Sequence, residues 1–329
     1  MGIRVGVVGT GRLGTQHVRV LKRLPEVDDV ACYDIVEERS RDAGRRFGAT
    51  VFTDMNEMLG QVDAVSVVVP TVKHKEVSLK ALEKGTHLFV EKPIAASMSE
   101  AGQIIEAASR RERVLQIGHI ERFNAALRKA YPHIEEPSFI EIHRLAPFTV
   151  RGIDVSVIMD LMIHDLDLLG LFLGEAPADI RAKGAGILTD RPDIVNARLE
   201  YRNGCVANLT ASRVSMEPMR KIRIFSRRNY LSIDLLKGTV KHLQKGDAFD
   251  AGVARIKRND TDLGSVSLRD FLKIEESAIE GEEPLFDELQ SFCQTIMNGR
   301  QPPVTGEDGL RALEIATAVQ RIVSEKPIR

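Results

Sequence analysis

The chain has 329 residues, 43% of them hydrophobic and 28% charged, with a formal net charge of -1 at pH 7. That is enough chain for two domains, and the near balance of charge gives no ground for nucleic acid or an anionic membrane as partner. The three cysteines, Cys32, Cys205 and Cys293, are far apart and odd in number, which speaks against a disulfide framework and a thiolate metal site and makes them core or half-buried thiols.

The opening "MGIRVGVVGTG" has no basic start, long apolar run or small-residue cleavage site, so the chain reads as cytoplasmic. The first 120 residues then alternate β-branched runs ("IRVGVVG", "VACYD", "AVSVVVP", "THLFVE", "VLQIGH") with amphipathic segments over 15–24, 73–84 and 97–111. This alternation predicts a doubly wound parallel sheet with helices on both faces.

Between the first strand and helix lies Gly9-Thr10-Gly11-Arg12-Leu13-Gly14. The first glycine permits the tight turn, the second lets a pyrophosphate approach the backbone, and the third lets helix and strand pack closely. The helix N-terminus, with Arg12 and Leu13, then faces the phosphates. Asp34 ends the second strand where a carboxylate accepts ribose hydroxyls and repels a 2'-phosphate, so NAD is expected over NADP; Arg39 and Arg41 leave room for both. Pro70, Thr71 and His74 follow the next strand at the same crevice.

The strand "HLFVE" delivers Glu91, Lys92 and Pro93 to the carboxyl edge, where open parallel sheets bind ligands. After about residue 138 longer alternating runs begin: "NARLEYRNGCVANLTASR" predicts a hairpin turning at Asn203-Gly204, and "RKIRIFSRRNYLSIDL" another near Arg228-Asn229. A long helix is expected over about 155–173, only marginal strands over 247–282, and two helices over 284–299 and 307–325. The expected architecture is a Rossmann domain, residues 1–120, followed by an α+β domain with a mostly antiparallel open sheet, residues 121–329.

The stretch "VSVIMDLMIHDLDLL", residues 155–169, is too rich in carboxylates for a core and too interrupted for a membrane span. On an ideal helix Asp160, His164 and Asp167 fall within a stripe of about 60°, with Asp165 well away from it. Such a stripe suits substrate better than a metal, since no clustered cysteine or second histidine supports a cation site.

Taken together, the glycine turn, "EKP" and "DLMIHDLD" resemble the Gfo/Idh/MocA oxidoreductases. The resemblance implies hydride transfer between a sugar or polyol hydroxyl and NAD, with Lys92 and His164 at the reacting oxygen and Asp160 orienting substrate or lysine. It also implies a commonly cis Lys-Pro peptide, with Glu91 and Lys92 beside the cofactor, and a homodimer or homotetramer. Met162 stands where the family often has glycine, narrowing or shifting the crevice.

"IGHIERFN" is similar to the G-H-x-x-R-F-N-P of members acting on nucleotide-linked N-acetylhexosamines, with Ala125 in place of the proline. "ASRVSMEPMRKIRIF" is similar to the same subgroup, most of all the UDP-N-acetylglucosamine 3-dehydrogenases, whose 3-keto product leads to a diamino sugar of lipid A. Arg122, Asn124, Arg213 and Lys221 are the resulting candidates for a diphosphate, beside Asp167 on the helix. With no tryptophan, uracil would need Phe123 or Tyr201 to stack upon. A free polyol such as inositol remains the rival substrate; a non-catalytic NAD sensor would have lost Lys92 and His164, and both are present. The residues leave open which of the two takes the proton.

Overall fold

In the computed structural model, residues 2–149, 155–246, 249–250, 254, 258, 271–279, 281 and 283–325 are described. The chain forms two units, Met1–Phe123 with Glu283–Thr317, and Asn124–Glu282 with Ala318–Arg329.

The first unit carries strands β1 (Ile3–Val8), β2 (Val27–Tyr33), β3 (Thr50–Val51), β4 (Ala64–Val67), β5 (His87–Glu91) and β6 (Leu115–Gly118). Helices α1 (Arg12–Leu21), α2 (Glu37–Phe47), α3 (Met55–Leu59), α4 (His74–Glu83) and α5 (Met98–Arg110) connect them. All pairings are parallel, in the order β3-β2-β1-β4-β5-β6. The order reverses between β1 and β4, and that is where an open α/β sheet leaves a crevice at its carboxyl edge. Every residue of β4 and of β6 is buried, as a strand covered on both faces requires.

The second unit begins with the short helix α6 (Ala125–Ala130) and strand β7 (Pro137–Leu145). A π-helical turn, Ile158–Met162, runs into α7 (Ile163–Leu173). Then come β8 (Asp179–Ala185), β9 (Ile194–Glu200), β10 (Val206–Ser212), β11 (Met219–Ser226), β12 (Asn229–Asp234), β13 (Thr239–Lys245) and β14 (Leu272–Ala278). They form one sheet, β14-β13-β12-β11-β7-β10-β9-β8, antiparallel except where β7 runs beside β10. Both expected hairpins are present. The first closes one pair beyond its strands, the Tyr201 N–H donating to the Cys205 carbonyl at 2.9 Å with Gly204 at φ +86°, so its loop has three residues instead of two.

Two helices close the chain, α8 (Pro284–Asn298) and α9 (Gly306–Glu325). Here the division differs from a single cut at residue 120. α8 presents Leu285, Leu289, Phe292 and Cys293 to the same core as Val5, Val7, Val18, Leu21, Val30 and Phe89. Each large apolar side chain so buried contributes about 2 kcal/mol, more than any loop preference, and returns this segment to the first unit. Of the weakly patterned 247–282, β14 is a defined strand, while the remaining strand expectations lie largely outside the described residues. Among the described residues no helix is long and apolar enough to cross a membrane.

Candidate active site

At the switch point of the first sheet, the crevice encloses about 740 Å³ and is lined by Gly9, Gly11, Arg12, Leu13, Gly14, Asp34, Pro70, His74, Glu91 and Lys92. Ten of the eleven positions expected to line it therefore do; Thr71 opens the short turn behind Pro70 without reaching the wall.

The three glycines divide their labour as backbone geometry demands. Gly9 has φ +91°, and a β-carbon there would lie 2.5 Å from the Val68 carbonyl oxygen. A β-carbon on Gly14 would lie 1.8 Å from the Gly9 carbonyl oxygen, so only glycine lets α1 start this close to β1. Gly11 is different: a β-carbon there meets no protein atom within 4 Å, so the space in front of it is kept for something else. Gly11 is also the N-cap of α1 and supplies no side-chain cap. The first-turn N–H groups of α1 are thereby left for an anion, and the residues fit a dinucleotide pyrophosphate.

Asp34 is 7% exposed at the end of β2. One carboxylate oxygen accepts the Thr10 N–H at 2.7 Å and the other the Val36 N–H at 2.8 Å, with an Arg39 guanidinium nitrogen 3.9 Å away. The carboxylate thus braces the glycine turn while bordering the pocket. The pocket wall also includes Arg39, which the sequence placed near the ribose, and Tyr33, Ile35, Met55 and Val77, which the sequence reading did not assign to it. Ile35, 89% exposed beside Asp34, is an apolar side chain left bare at the crevice, an exposure that only the folded structure reveals.

His74 is 1% exposed, and its two ring nitrogens stand 2.9 Å from the Val69 and Pro93 carbonyl oxygens. It ties together the two chain segments that flank the pocket. Burial pushes its pKa below the ordinary value, against the opposing pull of those carbonyls and of Glu91. Lys92 follows β5 and is joined to Pro93 by a cis peptide bond, as the family resemblance implied.

In the second unit the oily helix finds its compensation. Arg144 on β7 and Asp165 on α7, 3% and 1% exposed, form a two-pronged ion pair, Nε and Nη2 donating to Asp165 at 2.7 to 3.1 Å. Asp165, the aspartate outside the stripe, is thus the one spent on structure. Asp160 and His164 are half-buried, and Asp167 is 2% exposed. Asp160 lies in the π turn and His164 and Asp167 in α7, so the ideal-helix angle computed for the three does not carry over unchanged.

The four diphosphate candidates are placed as follows. Arg213 is 7% exposed; its guanidinium donates to Asp193 at 2.9 Å and to the Val155 carbonyl at 2.7 Å. Asp193 in turn accepts the N–H groups of Ile187, Leu188 and Thr189 at 2.7 to 2.9 Å. Burial raises the Asp193 carboxyl and these N–H and guanidinium donors outweigh it, holding the group well below the carboxylate range. Arg122 donates to Asp308 at 3.3 Å and to the Pro303 carbonyl at 3.1 Å. Asn124 caps α6 by accepting the Ala126 N–H at 3.1 Å, and donates to the Leu235 carbonyl at 2.9 Å. These three carry structural contacts that exposed anion ligands would not; Lys221 is half-buried on β11, opposite Asp234. Phe123 and Tyr201 are 7% and 5% exposed, core side chains without a ring face offered to a base. The three cysteines are buried too, which pushes the Cys32 and Cys205 thiols up to about 11 and Cys293 up to about 12.

Comparison with known proteins agrees with this geometry. Residues 3–119 match the oxidoreductase family with NAD-binding Rossmann fold, and residues 115–232 match the GFO/IDH/MocA C-terminal domain. A UDP-N-acetylglucosamine 3-dehydrogenase from Acidithiobacillus ferrooxidans is 38% identical over 86% of this chain and 91% of its own. The solved structure of that dehydrogenase superposes with a TM-score of 0.87 over 99% of both chains at 34% identity. A myo-inositol 2-dehydrogenase from Thermotoga maritima is 26% identical over 98% of this chain and 97% of its own. The chain belongs to the Gfo/Idh/MocA oxidoreductases and is an NAD-dependent dehydrogenase of that family.

Proposed function

We propose that this dehydrogenase oxidises the C3 hydroxyl of UDP-N-acetylglucosamine. The observation that carries the reading is the 38% identity with a UDP-N-acetylglucosamine 3-dehydrogenase across 86% of the chain. Lys92, Asp160 and His164 occupy the family's motif positions.

NAD, when bound, accepts the hydride from the alcohol carbon. The chain's own residues do the rest. Gly11 and the first turn of α1 receive the pyrophosphate, and Asp34 borders the ribose. Lys92 and His164 manage the hydroxyl proton and the negative charge that grows on oxygen, an amine and an imidazole being the two groups that can hold or move a proton there. Asp160 orients one or the other, and Lys221 contributes a polar contact to the sugar nucleotide. The chain acts in the cytoplasm as a homodimer or homotetramer, a state light scattering reads directly.

The deciding experiment mixes the protein with NAD and UDP-N-acetylglucosamine in the presence of a carbonyl trap and follows reduced nicotinamide at 340 nm, roughly its absorption maximum. A trap-dependent rise that is lost in Lys92→Met and His164→Ala, with NAD affinity kept, is the expected result. A rise with myo-inositol and none with the nucleotide sugar would instead move the substrate to the polyols, the class of the Thermotoga maritima relative.

A further inference from the structure

Behind Lys92 a chain of polar side chains runs inward from the crevice, through Glu91 to His17 and Ser66. His17 on α1 has a side chain 0% exposed, and its Nε2 stands 3.2 Å from Glu91 Oε1. Its Nδ1 stands 2.9 Å from the hydroxyl of Ser66, a fully buried residue in the middle of β4. The other Glu91 oxygen accepts the backbone N–H of Lys92 at 3.2 Å. The ring of His17 meets Phe89 edge-on at 5.6 Å, which seals the imidazole on its remaining side.

Three features show that the arrangement is built for the carboxylate. A β-carbon on Gly118, the neighbour of Glu91 on β6, would lie 3.0 Å from the Glu91 carboxyl carbon. The sheet thus leaves a side-chain-sized space for this one group. Burial favours the protonated acid, yet the hydrogen bond and charge of His17 and the nearby Lys92 outweigh it, and the Glu91 carboxyl titrates below its ordinary value. A buried carboxylate is costly unless paired, and His17 is the partner that the interior supplies. A serine, a histidine and a glutamate in series resemble a hydrolytic triad, but Ser66 is sealed inside the sheet, so this chain positions and does not attack.

We propose that His17 is a positioning residue for Lys92: it pairs with one oxygen of Glu91 while the other accepts the Lys92 N–H, and so sets where β5 delivers the lysine to the pocket. The inference rests on the reading of Lys92 as the residue at the reacting oxygen. It explains why the strand-end glutamate turns inward while still bordering the cofactor crevice.

The test compares His17→Leu, His17→Gln and Glu91→Gln with Lys92→Met, using whichever of UDP-N-acetylglucosamine and myo-inositol the wild-type chain oxidises. Hydrogen exchange of the Lys92 amide in the protein without cofactor gives a readout independent of turnover. Expected for His17→Leu and for Glu91→Gln is a kcat about tenfold to a hundredfold lower. NAD affinity and substrate KM stay within about twofold, and the Lys92 amide loses protection. His17→Gln, which returns a donor at the Nε2 position, recovers part of both. Wild-type kcat and wild-type amide protection in His17→Leu, with Lys92→Met inactive, overturn the positioning role alone. Turnover surviving in Lys92→Met overturns the assignment of the site, while the amide exchange still decides whether His17 fixes that backbone. If His17→Leu does not fold, Glu91→Gln reads the same quantities and an unchanged result in it overturns the proposal.

Discussion

The glycine turn of the first unit and the aspartate-rich helix of the second solve opposite problems. The turn must bring backbone close to backbone and keep a space empty, which a sequence states outright through glycine. The helix and the loop before β9 must bury carboxylates, which is possible only through partners far away in sequence: Asp165 on α7 depends on Arg144, 21 residues earlier, and Asp193 in that loop on Arg213, 20 residues later. One region is specified by what its residues lack, the other by what distant residues bring. The difference predicts how each will fail.

The largest effect is expected within the turn itself. Gly14→Ala puts a β-carbon 1.8 Å from the Gly9 carbonyl oxygen, a clash with backbone that no rotamer relieves. A stability loss of about 3 kcal/mol or more is expected in urea unfolding, with NAD binding lost alongside. Gly11→Ala should separate the two, since its β-carbon meets no protein atom within 4 Å. Its stability cost should stay near 1 kcal/mol or below, at about the value of a lost N-cap preference. NAD affinity should nevertheless fall by about tenfold or more in a fluorescence titration, because the methyl occupies the space of the pyrophosphate. If Gly11→Ala bound NAD normally, the space in front of α1 would not be the phosphate site.

Next in size are the buried ion pairs. Removing one partner leaves an uncompensated charge, so Asp193→Asn and Arg144→Ala should each cost about 3 to 5 kcal/mol. The pair at Arg144 allows a sharper test: Arg144→Met with Asp165→Leu removes both charges at once, and stability should return to within about 1 to 2 kcal/mol of wild type or exceed it. Failure to recover would mean that the guanidinium's further contacts, not the pairing, hold the helix. Asp193 also predicts an acid dependence. Its folded pKa is depressed below the ordinary 3.8. The stabilisation is complete above that value and is lost as pH falls through the folded one, so the acid limb of the unfolding curve should be shallower in Asp193→Asn.

These cases show why parts of the molecule could be read from the chain and parts could not. The strand-helix alternation and the switch-point crevice rest on short-range backbone rules, and Gly9, Gly11, Gly14 and Asp34 line that crevice. The inward turn of Glu91 was hidden because His17 and Ser66 lie 74 and 25 positions away, on other elements, and nothing local marks them as partners. The internal partners of Arg122 and Arg213 were hidden because a side chain's charge is visible in sequence and its tertiary partner is not. The π turn escaped for a related reason: Met159, Leu161 and Met162 are as apolar as any α-helical run, so the pattern holds no trace of the wider turn. The return of residues 284–298 to the first unit was equally silent, since an amphipathic helix states that it will be buried without stating against what.

The smallest expected effect lies at His74, in the first unit. Its ring bridges two backbone carbonyls, which favour a doubly protonated imidazole, and burial still wins, holding the pKa below the ordinary 6.5. Between the folded value and 6.5 the unfolded chain binds a proton that the folded chain refuses. Stability is therefore complete above 6.5 and declines as pH drops below it. Urea midpoints measured from pH 7 to pH 5 should fall in the wild-type protein and fall less in His74→Gln, which keeps a donor to a carbonyl and cannot take up the proton. His87, whose pKa burial and Arg113 also lower, contributes with the same sign and persists in the variant, so the slope should diminish without vanishing. Because the carbonyls of Val69 and Pro93 flank the cofactor crevice, NAD affinity should weaken over the same interval in the wild type and hold steadier in His74→Gln. An identical pH slope in both proteins would place the acid sensitivity in other groups and leave His74 as a neutral brace.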